Sequence, residues 1–447
     1  MRVLIVGAGE VGSSIAASLA DSHEVVVVDR DGGRVESLQY DCDVLGVTGD
    51  GADLSVLGEA DVAAADIAIA VTDSEETNLT VCATVKTASD AFTIARVERT
   101  NYRDTWQSNE GAFGVDFLVC TNVLTSQTIA RIVGLPSAHD VSTFADGRVE
   151  MAAFNVSASS PIAGQTVAEA DRFDELTFVA VVPTDTDAPE IASGETVIKA
   201  GARVVVVGTP SAVRAFAQTL CDEPTPSRAE DAVVIGGSKT GELTLGLLAD
   251  RGVSSRIVEI DDARARELAA NVPSATVLSH DGTDPEFLTR EHVQDADVVV
   301  ATLGSDERSL LAALLAKRVG ADRAIAVVDQ PRFVELFEAV GVDVAVNPRE
   351  VTAEEITRFT RERRAENVAI IGSRGAEILE VEIDAESVFA GRTITDGVDE
   401  LPAGVVVGAI TRGDELVTPR GDTEVRVGDH LVVFVQADAI EDVTVRL

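Results

Sequence analysis

Lysine is scarce in this chain. Lys86, Lys199, Lys239 and Lys317 are the only four among 36 basic residues, which face 76 acids for a formal net charge of -40 over 447 residues. So negative a surface repels phosphate backbones, which argues against nucleic acid as a partner. The acids are spread along the whole chain rather than gathered on one face. This is the pattern of a solubility adaptation to concentrated salt, with a cation-binding surface as the alternative. No run reaches the ~18 apolar residues of a membrane span, so direct membrane insertion is not expected. Met1 leads straight into Val3-Leu4-Ile5-Val6, with no sign of a secretory leader. Cysteine is also sparse. Cys42, Cys82, Cys120 and Cys221 show neither metal nor redox spacing, which points to a reduced cytosolic compartment and buried free thiols. Any link to a membrane is then made through another protein.

What is present suffices for large cores. Hydrophobic residues make up 45% of the chain, which excludes extended disorder, and the length is that of about three domains at ~150 residues each. The chain is also a duplication. Gly7 matches Gly236, Asp50 matches Asp281 and Gly194 matches Gly421, at a nearly constant offset of about 230 residues. Gly49-Asp50-Gly51-Ala52-Asp53 faces His280-Asp281-Gly282-Thr283-Asp284, and Gly114-Val115-Asp116 faces Gly341-Val342-Asp343. Between the copies, Asp222-Glu223-Pro224-Thr225-Pro226-Ser227-Arg228 reads as a linker.

Each copy begins with short β-branched runs alternating with amphipathic helical patterns, the signature of βαβ units in a parallel sheet. Val11, Ile15 and Leu19 give the first helix one apolar face. A second part follows, from about His139, in which strand-like runs are separated by Gly, Pro and Asp turns. The expected class is α/β: two Rossmann-like doubly wound domains, each followed by a small β-rich α+β domain. The expected divisions are 1–137, 138–221, a linker over 222–230, 231–365 and 366–447.

Gly7-Ala8-Gly9-Glu10-Val11-Gly12 is a G-x-G-x-x-G that follows a strand and opens a helix. The pattern alone is common, but its setting is that of a dinucleotide loop. The first glycine permits the tight turn, the second lets backbone approach a pyrophosphate, and the third allows close helix–strand packing. Free amides at the helix start then face the phosphates. Asp29 ends the second strand, where a carboxylate accepts from ribose hydroxyls and repels a 2′-phosphate, favouring NAD or an adenine nucleotide over NADP. Asp50, Thr72 and Asp73 fall at the ends of later strands, where open α/β sheets bind ligands. Arg96 either counters phosphate charge or pairs with Glu98 or another acid. Asp73, Glu75 and Glu76 have a second reading as helix-start acids.

Copy two departs from this pattern. Its loop reads Gly236-Gly237-Ser238-Lys239-Thr240-Gly241, with serine at the second glycine position, and Glu259 stands where a ribose acceptor belongs. Thr72-Asp73 becomes Leu303-Gly304, and Arg96 becomes Val327. Lys239-Thr240 makes no Walker loop, because the G-x-x-x-x-G that should precede the lysine is absent. Gly372-Ser373-Arg374-Gly375 aligns with Ala145-Asp146-Gly147 and is expected to be a hairpin turn.

Four segments carry a resemblance to a known family: Val3 to Asp29, Thr48-Gly49-Asp50-Gly51, Ala70 to Asn78, and Ile94-Ala95-Arg96. Together they resemble the nucleotide-binding domain of Trk-type potassium uptake regulators, also called RCK or KTN domains. Gly164-Gln165-Thr166 and Gly194 to Gly201 resemble the C-terminal companion domain of the same family. The resemblance implies a non-catalytic subunit, peripheral on the cytoplasmic face of a potassium-transporting membrane partner. It also implies a homo-oligomeric ring that changes shape when NAD(H), or alternatively ATP or ADP, binds. By position it carries Gly7, Ala8, Gly9, Glu10, Val11, Asp29, Thr72, Asp73 and Arg96 into the nucleotide site. In copy two it carries over Gly236, Gly237, Ser238, Lys239, Thr240 and Glu259. The alternatives are regulation of a different cation channel or transporter, and an NAD-dependent oxidoreductase. Hydride transfer needs a positioned acid or base in a substrate cleft, and none of His23, His139, His280, His292 and His430 stands in such a setting.

The charge makes one expectation direct. At low ionic strength the Debye length grows to tens of ångströms, and like charges repel across whole domains. The melting temperature is therefore expected to rise steeply with added KCl. A flat profile from millimolar to molar KCl in scanning calorimetry would refute the salt-adaptation reading.

Overall fold

The computed structural model describes residues 1–20, 22–109, 111–135, 138–184, 189–220, 229–361, 367–371, 376–413, 415–436, 439, 443 and 446. Cys221, the expected linker from Asp222 to Arg228 and the expected turn Gly372–Gly375 lie outside these residues. Two compact units result, one made of residues 1–130 and 231–357, the other of 131–230 and 358–447. Each unit thus unites the corresponding parts of the two copies.

The first unit holds two six-stranded parallel sheets. In copy one, strands β1 (Arg2–Val6), β2 (Glu24–Asp29), β3 (Leu45–Thr48), β4 (Ile67–Ala70), β5 (Phe92–Val97) and β6 (Phe117–Cys120) lie in the order β3-β2-β1-β4-β5-β6. Val25, Val26, Val27 and Val28 are all buried. At about 25 cal/mol per Å² each contributes roughly 1.5 kcal/mol, so four in succession outweigh propensity differences of ~1 kcal/mol and hold β2 inside the sheet. The helix Glu10–Leu19 buries Val11, Ile15 and Leu19, the face its spacing predicts. Chain order reverses between β1 and β4, which opens a crevice at their carboxyl ends. Copy two repeats the order around Asp231–Ile235, which pairs in parallel with Ser254–Glu259 and Val298–Ala301.

The second unit holds two antiparallel five-stranded sheets of matching order. Phe144, Met151 and Val207 of the first share a cluster with Ile378, Val432 and Phe434 of the second. A Cβ on Gly408 would stand 3.1 Å from Val179 and 3.2 Å from Val207, so any larger residue there would make these valines yield by a few tenths of an ångström. The buried Glu380 accepts the Ala145 amide with both carboxylate oxygens, at 3.1 Å each. Cys82 and Cys120 are buried and Cys42 half-buried, all three as free thiols. Burial pushes the Cys82 thiol up to about 12, which makes it inert at neutral pH.

Asp429 is a concentrated source of stability in this unit. It is fully buried, and both its oxygens accept from Arg412, at 2.8 and 2.7 Å, while the Arg426 amide donates at 2.8 Å. Burial alone would raise its pKa, but these donors hold the carboxyl below the ordinary carboxylate range. A carboxyl depressed on folding contributes stability above its unfolded pKa, and that contribution disappears as pH falls through the folded value. Asp429→Asn should cost about 2–3 kcal/mol at pH 7, less than the ~3–5 kcal/mol of a fully buried broken pair because Arg412 keeps some exposure. Urea unfolding in molar KCl should show the difference between variant and parent shrinking as pH falls below about 4. A difference independent of pH would contradict this account of the pair.

Candidate functional site

The carboxyl ends of β1, β2 and β4 enclose a cleft of about 230 Å³. Backbone geometry builds it. Gly7 has φ of 112°, and a Cβ there would stand 2.9 Å from the Thr72 amide nitrogen, so the loops after β1 and β4 can meet only at glycine. A Cβ on Gly12 would lie 1.8 Å from the Gly7 carbonyl oxygen, which forbids any other residue where the helix crosses the turn. Gly9 differs from both. Its φ of -75° suits any residue, and the nearest atom to an added Cβ is Nη1 of Arg34, at 3.8 Å. Space therefore lies open above the second glycine, where a pyrophosphate would approach. No side chain caps the helix Glu10–Leu19, so its first amides remain available to an anion. These features fit a dinucleotide.

The expected residues divide into groups. Gly7, Gly9, Asp29, Asp50, Thr72 and Asp73 line the cleft. Asp29 accepts the Ala8 amide at 2.6 Å and the Asp31 amide at 2.8 Å, which fixes its carboxylate against the loop with acceptor positions left over for hydroxyls. Asp50 pairs with Arg30 at 2.5 Å; the Ala52 amide and then Arg30 keep its carboxyl below the usual range. Ala8 and Val11 are buried, so the loop meets the cleft there through backbone rather than side chain.

Arg96 does not line the cleft. It is buried, donates to Glu98 at 2.6 Å and to Thr121 at 3.2 Å, and approaches Asp73 only at 4.0 Å. The pairing with Glu98 is the second of the two readings its sequence position allowed. Glu10, at the loop, pairs with Arg349 of copy two. Ser74, not one of the three acids after strand four, caps the helix Glu75–Ala88 by accepting the Thr77 amide. Glu75 instead accepts the amides of Glu98 and Arg99.

Three residues with a role here escaped the sequence reading. Arg30 and Arg34 line the cleft and supply positive charge that sequence reasoning sought in Arg96. Asn78, fully buried, accepts the Thr72 amide at 2.8 Å and the Thr72 hydroxyl at 2.6 Å, and donates to the Arg96 carbonyl at 2.9 Å. It thereby holds the β4 loop to the end of β5. The spacing from Thr72 to Asn78, one turn into the following helix, was the available signal.

Copy two keeps the backbone and changes the contacts. Gly236 has φ of 106°, and Glu259 accepts the Gly237 amide at 2.6 Å, as Asp29 accepts that of Ala8. Ser238 caps its own helix by accepting the Gly241 amide at 3.1 Å. Lys239 pairs with Glu242 at 3.2 Å, and the Thr240 hydroxyl donates to Asn122 of copy one at 3.1 Å. Leu303 stands against Gly236, within 2.9 Å of an added Cβ. Among the described residues, no group of three or more His, Cys, Asp or Glu is arranged to hold a metal ion.

The TrkA-N domain model matches residues 3–120 and 232–348, and the TrkA-C domain model matches residues 151–220 and 378–447. A Trk system potassium uptake protein TrkA homolog of Archaeoglobus fulgidus is 35% identical over 443 residues, covering 99% of each chain. Homolog 1 of Methanosarcina mazei is 34% identical over 452 residues, again covering 99% of each, and TrkA of Halomonas elongata is 29% identical over 447 residues, with 97% and 96% covered. Among solved structures, the GsuK RCK domain superposes with a TM-score of 0.61 at 19% identity, covering 99% of this chain and 94% of that one. The GsuK channel bound to NAD gives 0.60 at 19%, with 100% and 78% covered, and both likenesses concern the fold. With both domain models matched twice in alternation and a third of its residues shared with full-length relatives, the chain belongs to the TrkA family of Trk potassium uptake proteins.

Proposed function

We propose that the chain is a nucleotide-responsive regulatory subunit of a potassium-uptake system. In this reading it performs no chemistry and assembles as a homo-oligomeric ring on the cytoplasmic face of a potassium-transporting membrane partner. The observation that carries the reading is the copy-one cleft, in which open space above Gly9, uncapped helix amides and the fixed Asp29 carboxylate converge. NAD(H) is the favoured ligand and ATP or ADP the alternative, since each offers a ribose diol to Asp29 and phosphates to the loop. Among the described residues no helix is long and apolar enough to cross a membrane. Gly7, Ala8, Gly9, Glu10 and Val11 form the phosphate loop of this site, Asp29 reads the ribose, and Asp50, Thr72 and Asp73 complete the wall. Arg96 acts from behind, by fixing Glu98 and Thr121.

A nucleotide can shift a ring between states only by its difference in affinity for them, and about 1–3 kcal/mol is an ordinary coupling. The two copies are joined where such a signal would pass. Arg349 of copy two reaches Glu10 at the copy-one loop, and the Thr352 hydroxyl donates to Thr121, which also accepts from Arg96.

Losing charge-assisted bonds to ribose should cost about 1.5–3 kcal/mol, so Asp29→Ala should weaken NADH and ATP roughly ten- to a hundredfold in calorimetry. Unchanged affinity for both would remove Asp29 from the site, and tight NADP binding by the parent would contradict its role. In ion-flux measurements with the reconstituted membrane partner, Gly9→Glu should abolish nucleotide-dependent regulation. The backbone there tolerates a side chain, and the new carboxylate would fill the pyrophosphate position. Ser238→Glu should leave much of the regulation intact; the reverse order would make copy two the sensor.

A further inference from the structure

The duplication provides an internal comparison at one position. Immediately after the last glycine of each loop stands Ser13 in copy one and Glu242 in copy two. Each loop faces the first turn of its copy's second helix, Gly32–Asp41 or Asp262–Asn271. Both helices are capped by aspartate, Asp31 or Asp261, and both carry an arginine at the same place, Arg34 or Arg264. Identical scaffolds thus present the same cation to two crevices.

The cations are held differently. In copy one the Arg34 side chain is 52% exposed, lines the cleft, and has only a distant ion pair with Asp31, at 3.7 Å. Its guanidinium stands next to the open space above Gly9. In copy two the Arg264 side chain is 24% exposed; it donates to Glu242 at 2.7 Å and to the Gly237 carbonyl, also at 2.7 Å, and pairs with Glu267 at 2.9 Å. Glu242 is itself buried, at 8% exposure, and takes further bonds from Lys239 at 3.2 Å and Asn271 at 3.1 Å. Ser13, in the same place, makes a single side-chain bond to the Ala8 carbonyl. An arginine bonded to both a buried carboxylate and the loop carbonyl is tied to the loop that phosphates would reach. It also has little positive charge to offer them.

We propose that this position sets which crevice accepts a nucleotide: serine leaves Arg34 free for the phosphates of copy one, whereas Glu242 captures Arg264 and closes copy two. Glu242 thus serves as a built-in anion in place of a bound one. The inference rests on the assignment of copy one as a nucleotide site and adds Arg34 as a phosphate contact and Ser13 and Glu242 as positioning residues.

The test uses the full chain in molar KCl, with NADH and ATP titrated separately in a calorimeter and folding checked by thermal melting. Ser13→Glu should weaken copy-one binding about tenfold or more, as should Arg34→Ala, since each removes one charge-assisted contact. The double variant should bind no worse than Arg34→Ala alone, and Ser13→Gln, similar in size without the charge, should stay within about twofold of the parent. Glu242→Ser in a Gly9→Glu background, where copy one is blocked, should create a binding event that the background lacks. The proposal is overturned if Ser13→Glu costs as much with Arg34 already removed, because the new charge would then be repelling ligand directly. It is equally overturned if Ser13→Gln matches Ser13→Glu, or if Glu242→Ser yields no new binding. Normal binding by the parent with an undisturbed Ser13→Glu variant sinks this inference alone. A parent that binds neither nucleotide sinks the copy-one assignment with it.

Discussion

The close approach of two backbone loops at the reversal of strand order governs this protein's candidate chemistry. Gly7 and Thr72 come within a distance that no side chain allows, and the first helix crosses the turn over an equally bare Gly12. Backbone closes the floor of the crevice, and the helix that starts there has no side-chain cap. The nearly continuous valine runs of the sheet make that geometry rigid. They are buried on both faces, so the strands cannot slide without exposing apolar surface. Asp29 gains its position from this frame, held by the amide of Ala8 on one side and that of Asp31 on the other.

The same frame occurs twice with unlike contacts. Copy two retains the strained glycine, the carboxylate at the end of the second strand and the aspartate-capped second helix. It differs in side chains alone: a serine that caps its own helix, a leucine against the turn, and an acid that binds the nearby arginine. None of these changes disturbs the fold, since the serine and the acid bond within copy two and the leucine packs against the turn. Polar groups that copy one leaves open are satisfied inside copy two, as buried polar groups require.

Much of this was legible in the sequence, for reasons of range. Strands, the first helix and the glycine loop are local patterns, and the offset between Gly7 and Gly236 aligned the copies with no knowledge of folding. Asp29 was legible because its place at a strand end ties it to the loop. Arg34 was not, because an arginine in the first turn of an exposed helix looks like any surface charge until the helix is set beside Gly9. Asn78 was hidden in a helix whose polar residues could each face solvent. Arg96 shows the opposite limit. Its place at the end of β5 was correct, yet which of several acids would claim it depended on side-chain directions that no spacing specifies.

The contact between Glu10 and Arg349 joins two regions that a dimer of identical chains would supply from separate molecules. In such a dimer every substitution appears in both crevices, so a residue that shuts one site shuts its mate. Fusion into one polypeptide removes that symmetry. A charge can be fixed at position 242 while position 13 stays neutral, and position 349 can evolve as a partner for position 10 without also having to suit itself. The covalent tandem thus allows one half to specialise in sensing and the other in transmitting, a division of labour closed to a strictly twofold assembly.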